Sequence, residues 1–432
     1  MQSSRYNIFT KCNFKDGYDV VYQPFAQSLI LVASETARAL EKNELDKIDQ
    51  KELQKHLKQG IVVEDRDFEL AEIKLFHWRR KMDTRKFGMT LIPTYLCNFK
   101  CPYCYEAVCY DGINDDKEMM SSDICDSIIE LTERKIKEGA KSVNFEWYGG
   151  EPLLALDIVI DMTKRLTALC KEKEVTFDVR MVSNGYLLDE ETAKKLGDIG
   201  ISNIQITLDG LASSHDKQRA LRDSGPTFDR IVENLKNAYK HIKQIIIRVN
   251  VGADNQNAAA EVREYLKENI PDAENITIYL SQLLSEDGSY LDEDVFACEN
   301  DRFIENGDKM EDIDLRKSAF CMLNNPNAIV IDCRGDVFDC WEWLSEENVV
   351  GKLQPGGKIK YNKRFYEHVF YDPTEDEKCR DCNILPLCMG GCKPRQYRGM
   401  KCDALIGSAS EINRKLNGAA AKLIFGEIPG HP

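Results

Sequence analysis

The chain has 432 residues, 43% of them hydrophobic, which is enough for a large buried core and for more than one domain. Its formal net charge of −15 disfavours nucleic acid and anionic membrane surfaces as partners, because both bind basic protein faces. Residues 1–10 hold no apolar core and no apolar run is long enough to span a bilayer, so we expect a cytoplasmic protein. Sixteen cysteines, many of them closely spaced, then indicate thiolate ligands rather than disulfides.

The first 85 residues are predicted to form a separate, winged-helix-like domain. Alternating stretches at residues 6–9 and 20–22 flank the turn sequence Lys15-Asp16-Gly17, which indicates a β-hairpin. Helical periodicity follows at residues 35–42 and 50–58, residues 61–65 look like a wing strand, and residues 69–82 would form a connecting helix. The alternative is a packing extension with no recognition role.

Three cysteines follow the first apolar strand of the next region, residues 87–93. Cys97, Cys101 and Cys104 stand in the run CNFKCPYCYE with C-x₃-C-x₂-C spacing. Three thiolates can hold three corners of a [4Fe-4S] cluster and leave the fourth iron open to a substrate or cofactor. Zinc is the alternative, but it favours closed sites with four ligands, which a third cysteine at this spacing fits poorly. We therefore expect an open iron-sulfur cluster at the C-terminal end of a strand.

Strand and helix patterns alternate from residue 87 to residue 283, and six β/α units are predicted. Because parallel neighbours need a crossover connection, this alternation predicts an α/β fold, a partial (β/α)6 barrel that is open at one side. Such an opening suits a large substrate such as a polypeptide loop. The predicted strands are residues 87–93, 142–148, 177–182, 203–208, 244–251 and 276–280, and the helices between them are residues 124–137, 158–171, 190–196, 228–242 and 258–269.

Polar motifs follow three of these strands. Paired glycines in Gly149-Gly150-Glu151-Pro152 allow the backbone to approach a ligand closely and expose amides to it, while Glu151 offers a negative charge that a ligand ammonium would satisfy. The next strands end in Ser183-Asn184-Gly185 and in Asp209-Gly210. Each of these last two is also an ordinary turn sequence. Their common place at C-terminal strand ends favours a functional interpretation.

Together these motifs resemble those of the radical S-adenosylmethionine superfamily, over roughly residues 87 to 300. In that family the open iron of the three-cysteine cluster chelates the amino and carboxylate groups of S-adenosylmethionine. The resemblance implies that Cys97, Cys101 and Cys104 hold this cluster. It also implies cofactor contacts by Tyr103 with the adenine, by Gly149, Gly150, Glu151 and Pro152 with the amino group, by Ser183 and Asn184 with the ribose or carboxylate, and by Arg219 with the carboxylate.

A second group of cysteines lies in the last third of the chain. Cys379, Cys382, Cys388 and Cys392 form a C-x₂-C-x₅-C-x₃-C run, with Cys402 after it and Cys321 and Cys340 before it, the latter in a predicted hairpin at residues 329–341. Zinc in a ribbon is one interpretation of residues 379–392, since the paired spacing allows it. The arrangement resembles the SPASM extension of peptide-modifying radical enzymes, which binds two further [4Fe-4S] clusters and would occupy residues 311–432, after a barrel at residues 86–310.

The SPASM resemblance divides the cysteines into two sets. It implies an outer cluster on Cys379, Cys382, Cys388 and Cys402, and an inner cluster on Cys321, Cys340 and Cys392. The inner set is one ligand short. Cys298 or Cys333 could complete it, or its open iron could bind a substrate thiolate.

The function that the resemblance implies is that of a maturase of ribosomally made peptides. Cleavage of S-adenosylmethionine at the reduced cluster gives a 5′-deoxyadenosyl radical that abstracts hydrogen from carbon, and a reductant such as flavodoxin or ferredoxin supplies the electron. A substrate thiolate on an open iron would favour a thioether crosslink. Residues 1–85 resemble the leader-recognition element of such enzymes, in which an extended leader peptide adds a strand to a sheet.

Two other functions stay open. A sulfatase-maturing enzyme shares the barrel and both auxiliary clusters, but such enzymes generally begin close to the first cysteine motif and carry an aspartate where this chain has Trp341, directly after Cys340. A non-enzymatic electron-transfer protein is the third function considered. An electron relay needs neither a three-cysteine open site nor a Gly-Gly-Glu-Pro motif, so both features count against it.

Overall fold

The computed structural model describes residues 1–104, 106, 119–283, 321–397 and 409–425. These residues form two compact units. The first contains residues 1–82, 321, 370–397 and 409–425, and the second contains the remainder. The boundaries predicted near residues 85 and 310 for three domains stay a prediction. None of the helices in the described residues is both long and apolar enough to cross a membrane.

The N-terminal part of the first unit contains a three-stranded antiparallel sheet with the order β2-β3-β4. The predicted hairpin is present, because Ile8 pairs with Tyr22 and Lys11 with Asp19. A strand that the sequence analysis missed, β4, extends it. The strands are β1 (Gln2–Ser3), β2 (Ile8–Lys11), β3 (Tyr18–Gln23), β4 (Ser28–Ala33) and β5 (Val62–Val63), the last of which pairs with β1.

Three helices follow this sheet: α1 (Ser34–Glu41), α2 (Gln50–Lys58) and α3 (Arg66–Lys81). Two of these helices, α2 and α3, have an aspartate as N-cap residue. Asp49 accepts hydrogen bonds from the first-turn amides of α2, and Asp65 does the same for α3, which satisfies N–H groups that have no partner inside a helix. The assignment of this domain as a winged-helix-like element that recognises a leader peptide stays a prediction.

The second unit is built on a ten-stranded sheet with the order β11-β10-β9-β8-β7-β6-β12-β13-β14-β15. Its first six strands run parallel, as predicted. They are β6 (Lys86–Leu91), β7 (Ser142–Trp147), β8 (Thr176–Ser183), β9 (Asn203–Thr207), β10 (Gln244–Val251) and β11 (Ile276–Gln282). The helices between them are α4 (Ser122–Lys137), α5 (Leu156–Glu172), α6 (Glu190–Asp198), α7 (Ala212–Gln218), α8 (Phe228–Ala238) and α9 (Ala258–Asn269).

Helix α8 ends four residues before the position predicted for it, and α7 was not predicted. The predicted hairpin at residues 329–341 is present as β12 (Ala328–Ile331) and β13 (Asp336–Phe338). Strand β12 also joins the main sheet, in parallel to β6, which the sequence did not indicate. The sheet then continues through β14 (Gly351–Gln354) and β15 (Lys358–Tyr361) before α10 (Lys363–Phe370).

The two faces of the parallel strands differ in chemistry. One face is apolar and packs against the helices in a single buried cluster that includes Phe145, Val179, Ile206 and Ile247. Because side chains of a strand point to opposite faces in turn, the alternate positions form the opposite face, which is mostly polar or charged, with Val182 and Ile246 as exceptions. By the strand register this polar face carries Thr90, Glu146, Arg180, Gln205, Arg248 and Tyr279.

The parallel sheet is curved toward its polar face. In a flat sheet β7 and β11 would be four strand spacings, about 19 Å, apart. In the structure burial raises the pKa of Tyr279 on β11, and the negative charge of Glu146 on β7 still adds to this rise. The hydroxyl of Tyr279 also hydrogen-bonds Gln205 Oε1 on β9, at 2.9 Å. This curvature, with the helices on the apolar side, confirms the α/β fold of a partial barrel.

The last part of the first unit contains the helices α11 (Glu377–Arg380), α12 (Leu385–Cys388), α13 (Lys393–Tyr397) and α14 (Ala409–Phe425). Helix α14 packs against one face of the β2-β3-β4 sheet, where Leu416 and Ala420 meet Ile8 and Val20. Helices α1 and α2 cover the other face. Both ends of the described chain therefore contribute to this unit.

Candidate active site at the strand ends

The three-cysteine loop begins at the C-terminal end of β6, as expected. The structure brings the three thiols together, because the charges of Cys101 and Cys104 both act on Cys97. Burial raises the pKa of Cys97 and of Cys104 to about 12, and it raises that of Cys101 as well. Thiols with such pKa values are protonated at neutral pH, so binding of a metal cluster here must release protons.

Among the described residues, no three His, Cys, Asp or Glu side chains have the geometry to hold a single metal ion.

The Gly-Gly-Glu-Pro loop after β7 is packed directly on the backbone of the cysteine loop. Gly150 N donates to Thr94 O at 3.1 Å, and Glu151 N donates to Leu96 O at 2.8 Å. A Cβ on Gly150 would lie 2.1 Å from Leu96 O, and Gly149 has a φ of +108°, so both positions need glycine. The paired glycines do permit a close approach, but to the protein itself. The expectation that these amides are exposed to a ligand is wrong for Gly150 and Glu151.

Glu151 is a fully buried acceptor that joins two strand ends. Its carboxylate accepts hydrogen bonds from the Ser183 hydroxyl at 2.8 Å, from Asn184 N at 2.7 Å and from Leu153 N at 3.0 Å. Burial raises the pKa of Glu151, while these donors stabilise its charged form. Protein donors therefore already satisfy the carboxylate that was expected to await a ligand ammonium. A cofactor contact by Glu151 stays a prediction.

Asn184 links this carboxylate to the first cysteine. Its side-chain amide donates to Asn98 Oδ1 at 2.7 Å and lies 4.0 Å from the sulfur of Cys97. Phe99 N also donates to that sulfur, at 3.4 Å. The sequence analysis did not single out Asn98, because an asparagine inside a cysteine loop carries no signal of its own.

Tyr103 and Arg219 meet on the opposite side of the thiols. The Tyr103 hydroxyl donates to Asp209 Oδ2 and accepts a hydrogen bond from Arg219 Nη1 at 2.8 Å. Burial holds the pKa of Tyr103 well above its usual value, so the phenol stays protonated. The charge of Arg219 acts on Cys101 and on the third thiol of the loop. The Asp209-Gly210 motif, for which both a turn and a functional role were expected, supplies the carboxylate at the centre of this network.

Two buried polar atoms beside the thiols have no hydrogen-bond partner among the described residues: Arg219 Nε and Asn98 Nδ2. Both are donors, and a buried donor without a partner carries a free-energy cost. A ligand with a carboxylate and several acceptor atoms, such as S-adenosylmethionine, would satisfy them. The donor set at the thiols therefore fits the cofactor that the motifs imply.

The second group of cysteines is divided between the two units. Cys379, Cys382 and Cys388 lie on and between α11 and α12, and Cys402 falls outside the described residues. Cys321 and Cys392 also belong to the first unit, whereas Cys340 and Cys333 belong to the second and are buried. Cys298 is outside the described residues. The outer and inner cluster assignments both stay predictions.

Known proteins share both the sequence pattern and the fold. Residues 91–266 match the model of the radical SAM superfamily. A cysteine-type anaerobic sulfatase-maturating enzyme of Clostridium perfringens (strain 13 / Type A) is 24% identical over 326 residues, which cover 69% of this chain and 86% of that protein. A GTP 3',8-cyclase of Helicobacter pylori (strain J99) is 30% identical over 175 residues, or 40% of this chain and half of that enzyme.

Solved structures extend the likeness beyond the matched domain. Native anSMEcpe with bound AdoMet and Cp18Cys peptide superposes with a TM-score of 0.57 and 19% identity, covering 78% of this chain and 97% of that one. Streptococcus suis SuiB bound to S-adenosylmethionine gives a TM-score of 0.52 at 15% identity, with 92% and 97% covered. At these identities the likeness is one of fold, and it agrees with the predicted fold class.

Proposed function

From the premise that this chain belongs to the radical S-adenosylmethionine superfamily, we propose that it is a maturase of a ribosomally made precursor peptide and that it installs a thioether crosslink. The auxiliary [4Fe-4S] clusters on the outer and inner cysteine sets, and a reductant such as flavodoxin or ferredoxin, belong to this proposal. When bound, S-adenosylmethionine at a reduced [4Fe-4S] cluster supplies a carbon radical that removes hydrogen from a C–H bond.

One observation carries the enzymatic part of the proposal: Glu151 joins two strand ends to the cysteine loop. Its carboxylate accepts hydrogen bonds from Ser183 and Asn184, and its own amide donates to Leu96 O. The loop is thereby held rigidly against the strand ends, as a site needs when it must position a substrate precisely. An electron relay would not need this arrangement.

The residues of this site have separate tasks in the proposal. Cys97, Cys101 and Cys104 hold the cluster, and the Arg219 guanidinium, beside them and nearly buried, binds the cofactor carboxylate. Tyr103 keeps its proton and orients Arg219, while Asp209 fixes the phenol. The buried surroundings of the thiols exclude water from the reaction.

The N-terminal sheet supports a role in binding the leader peptide. Strand β4 is six residues long and, among the described residues, pairs on one side, with β3. At the other edge Asn417 of α14 already donates to Lys11 O, at 3.0 Å. Because an unpaired edge is where an extended peptide can add a strand, we assign the leader to β4.

The first test asks whether the chain is an enzyme at all. The reconstituted, reduced protein should form 5′-deoxyadenosine from S-adenosylmethionine without oxygen, and Cys97→Ala should form none. Cys170→Ala, at a buried position on α5 far in sequence from the cluster motif, is the matched control and should retain the activity. No product from fully reconstituted wild-type protein, or full activity of Cys97→Ala, contradicts the proposal.

The second test concerns the peptide. A precursor encoded beside the gene should lose the mass of two hydrogens on treatment, and its cysteine should become resistant to alkylation. Hydrogen exchange should show new protection of the β4 amides, and none at β2, when the leader binds. Protection at β2 instead, or none in the first unit, would contradict the assigned edge.

Formylglycine formation in a sulfatase is the second candidate function. The relative from Clostridium perfringens favours it, since that protein is named a sulfatase-maturating enzyme and is matched over 86% of its length. Trp341, 43% exposed, occupies the position after Cys340 at which such enzymes carry an aspartate. Incubation with a sulfatase peptide separates the two: an aldehyde that reacts with a hydrazide reagent supports the sulfatase function, and its absence together with a crosslinked precursor supports the thioether function.

A further inference from the structure

The polar face of the barrel sheet contains two arginines whose surroundings differ. Arg180 on β8 is largely exposed and already has a counter-ion, since its Nε lies 2.9 Å from Asp178 Oδ2. In the part of the chain that the structure describes, Arg248 on β10 donates to neutral acceptors: Asn250 Oδ1 at 2.9 Å, Ser281 Oγ at 2.8 Å and the Tyr279 phenol. Among the described residues no carboxylate lies within 4.0 Å of Arg248.

Arg248 is half-buried on the polar face of the curved sheet rather than extended into solvent. Because a guanidinium has five N–H donors, three of which are used by Asn250, Ser281 and Tyr279, the remaining two can bind both oxygens of one carboxylate. Tyr279 lies beside it, and the Arg248 guanidinium hydrogen-bonds that phenol and holds its pKa down against the effect of burial.

Arg248 is also connected to the active site. Asn250, which accepts its hydrogen bond, donates to the Tyr103 hydroxyl at 3.4 Å, and Asn250 N donates to Asp209 Oδ1 at 3.0 Å. A group bound to Arg248 would therefore lie on the concave side of the sheet, two hydrogen bonds from the residues that flank the thiols. That is where the reacting part of a substrate must come.

We propose that Arg248, with Tyr279, forms a subsite on the concave face of the barrel that binds a carboxylate of the peptide substrate. This deepens the function proposed above and rests on it. The shared chemistry is a carboxylate, which an aspartate or glutamate side chain or a peptide C-terminus can supply.

A preference for acidic over neutral peptides would come from the positive charge of Arg248. A chain with a net charge of −15 repels an anionic peptide at long range, so general electrostatics would favour neutral peptides. A preference for acidic peptides must then come from one local cation. One charge-assisted hydrogen-bonded pair corresponds to about a tenfold difference in affinity between an acid and its amide.

The experiment measures binding, so that it does not depend on turnover. Reconstituted protein with S-adenosylmethionine is equilibrated by dialysis against pooled short acetylated peptides, and bound and free fractions are quantified by mass spectrometry. The pool holds three matched forms of each peptide: a glutamate form with an amidated C-terminus, the glutamine form of the same peptide, and the glutamine form with a free C-terminus. The first and third forms distinguish a side-chain carboxylate from a terminal one.

We expect wild type to retain one of the two acidic forms about tenfold better than the neutral form, and Arg248→Gln to reduce this ratio to near one. Arg180→Gln is the matched control, an arginine on the same sheet face with its own counter-ion, and should keep the ratio. Equal retention of all three forms by wild type, or an unchanged ratio in Arg248→Gln, overturns the proposal.

Two further measurements keep the result interpretable. Arg248→Lys retains the charge but not the paired donors and should give an intermediate ratio, which a merely structural role would not produce. Circular dichroism and cluster absorbance show whether each variant folds. If wild type selects a carboxylate but forms no 5′-deoxyadenosine, the proposed enzymatic function fails while the subsite stands.

Discussion

The two cysteine regions of this protein are held by different kinds of interaction. The loop of Cys97, Cys101 and Cys104 is fixed by backbone hydrogen bonds and by the buried carboxylate of Glu151, all within the barrel. The region of Cys379, Cys382 and Cys388 is instead packed against the N-terminal segment.

There Tyr6 and Ile73 contact Leu385, and Cys379 lies at the edge of the same cluster. The hydroxyl of Tyr6 donates to Arg380 O at 3.1 Å, and Arg5 pairs with Asp381 at 3.0 Å. The comparison teaches that the first region depends on exact polar geometry, whereas the second depends on apolar packing by a distant part of the chain. Substitutions should separate the two.

The largest effect is expected for Gly150→Ala. The new Cβ would meet two backbone oxygens at 2.1 and 2.5 Å, which cannot move aside as a side-chain end could. We expect a loss of stability of about 3 kcal/mol, measured by chemical denaturation, together with loss of the radical cluster from the iron count. Gly88→Ala is the control, since its nearest contact is 3.8 Å away; equal losses in both variants would contradict the prediction.

Glu151→Gln should have the next largest effect. A glutamine of the same shape would turn an amide nitrogen toward one of the N–H groups that now donate to the carboxylate, leaving a buried donor without an acceptor. We expect the free energy of unfolding to fall by about 2 kcal/mol, and bound iron to be lost from the radical cluster alone. Glu133→Gln, on the surface of α4, should change neither quantity. Iron loss from the auxiliary region would contradict the view that the two cysteine regions are stabilised independently.

For the second region the informative change is Tyr6→Phe. It keeps the ring, which is fully buried, but leaves Arg380 O without its donor. The free energy of unfolding is expected to fall by about 1 kcal/mol, and hydrogen exchange should become faster in the segment that contains α11. The formation of 5′-deoxyadenosine should not change. Tyr18→Phe serves as control in the same unit. A defect in cofactor cleavage would show that the two regions are not independent.

The last effect concerns pH. Burial lowers the pKa of Lys81, on α3, to about 8, and its Nζ donates to Tyr371 O at 2.8 Å. Between pH 8 and 10.5 the unfolded chain holds this proton more tightly than the folded one, so the contribution of Lys81 to stability rises with pH in that window.

The melting temperature of wild type, relative to that of Lys81→Met, should therefore rise as the pH is raised from 8 to 10. Lys58→Met, at the exposed end of α2, should follow wild type throughout. A constant difference between wild type and Lys81→Met would refute the assigned titration.

The sequence predicted the features that depend on short-range pattern. Six parallel strands and their helices follow from apolar periodicity, and the strand predicted at residues 244–251 matches β10 at both ends. The cysteine spacing and the strand-end motifs pointed to the same strand ends at which the structure brings these loops together.

What the sequence could not predict depends on contacts between distant residues. Gly150 was expected to approach a ligand, but whether its neighbour is a ligand or Leu96 O is decided only when two loops meet in space. Asn98 stands in no pattern that marks it, yet it contacts Asn184, and nothing in the Asp209-Gly210 motif indicated that its carboxylate would accept from Tyr103. Likewise no local sequence pattern predicts that β12 pairs with β6, some 240 residues earlier in the chain.

The packing of α14 on the first sheet has a consequence for synthesis on the ribosome. Ile8, Val20 and Tyr22 reach the tunnel exit roughly 400 residues before the helix that shields them, which contains Leu416 and Ala420. The nascent chain must therefore carry an uncovered apolar sheet face while the residues between these segments are synthesised, a state that requires chaperone protection. Slower codons between the two segments would lengthen that exposure.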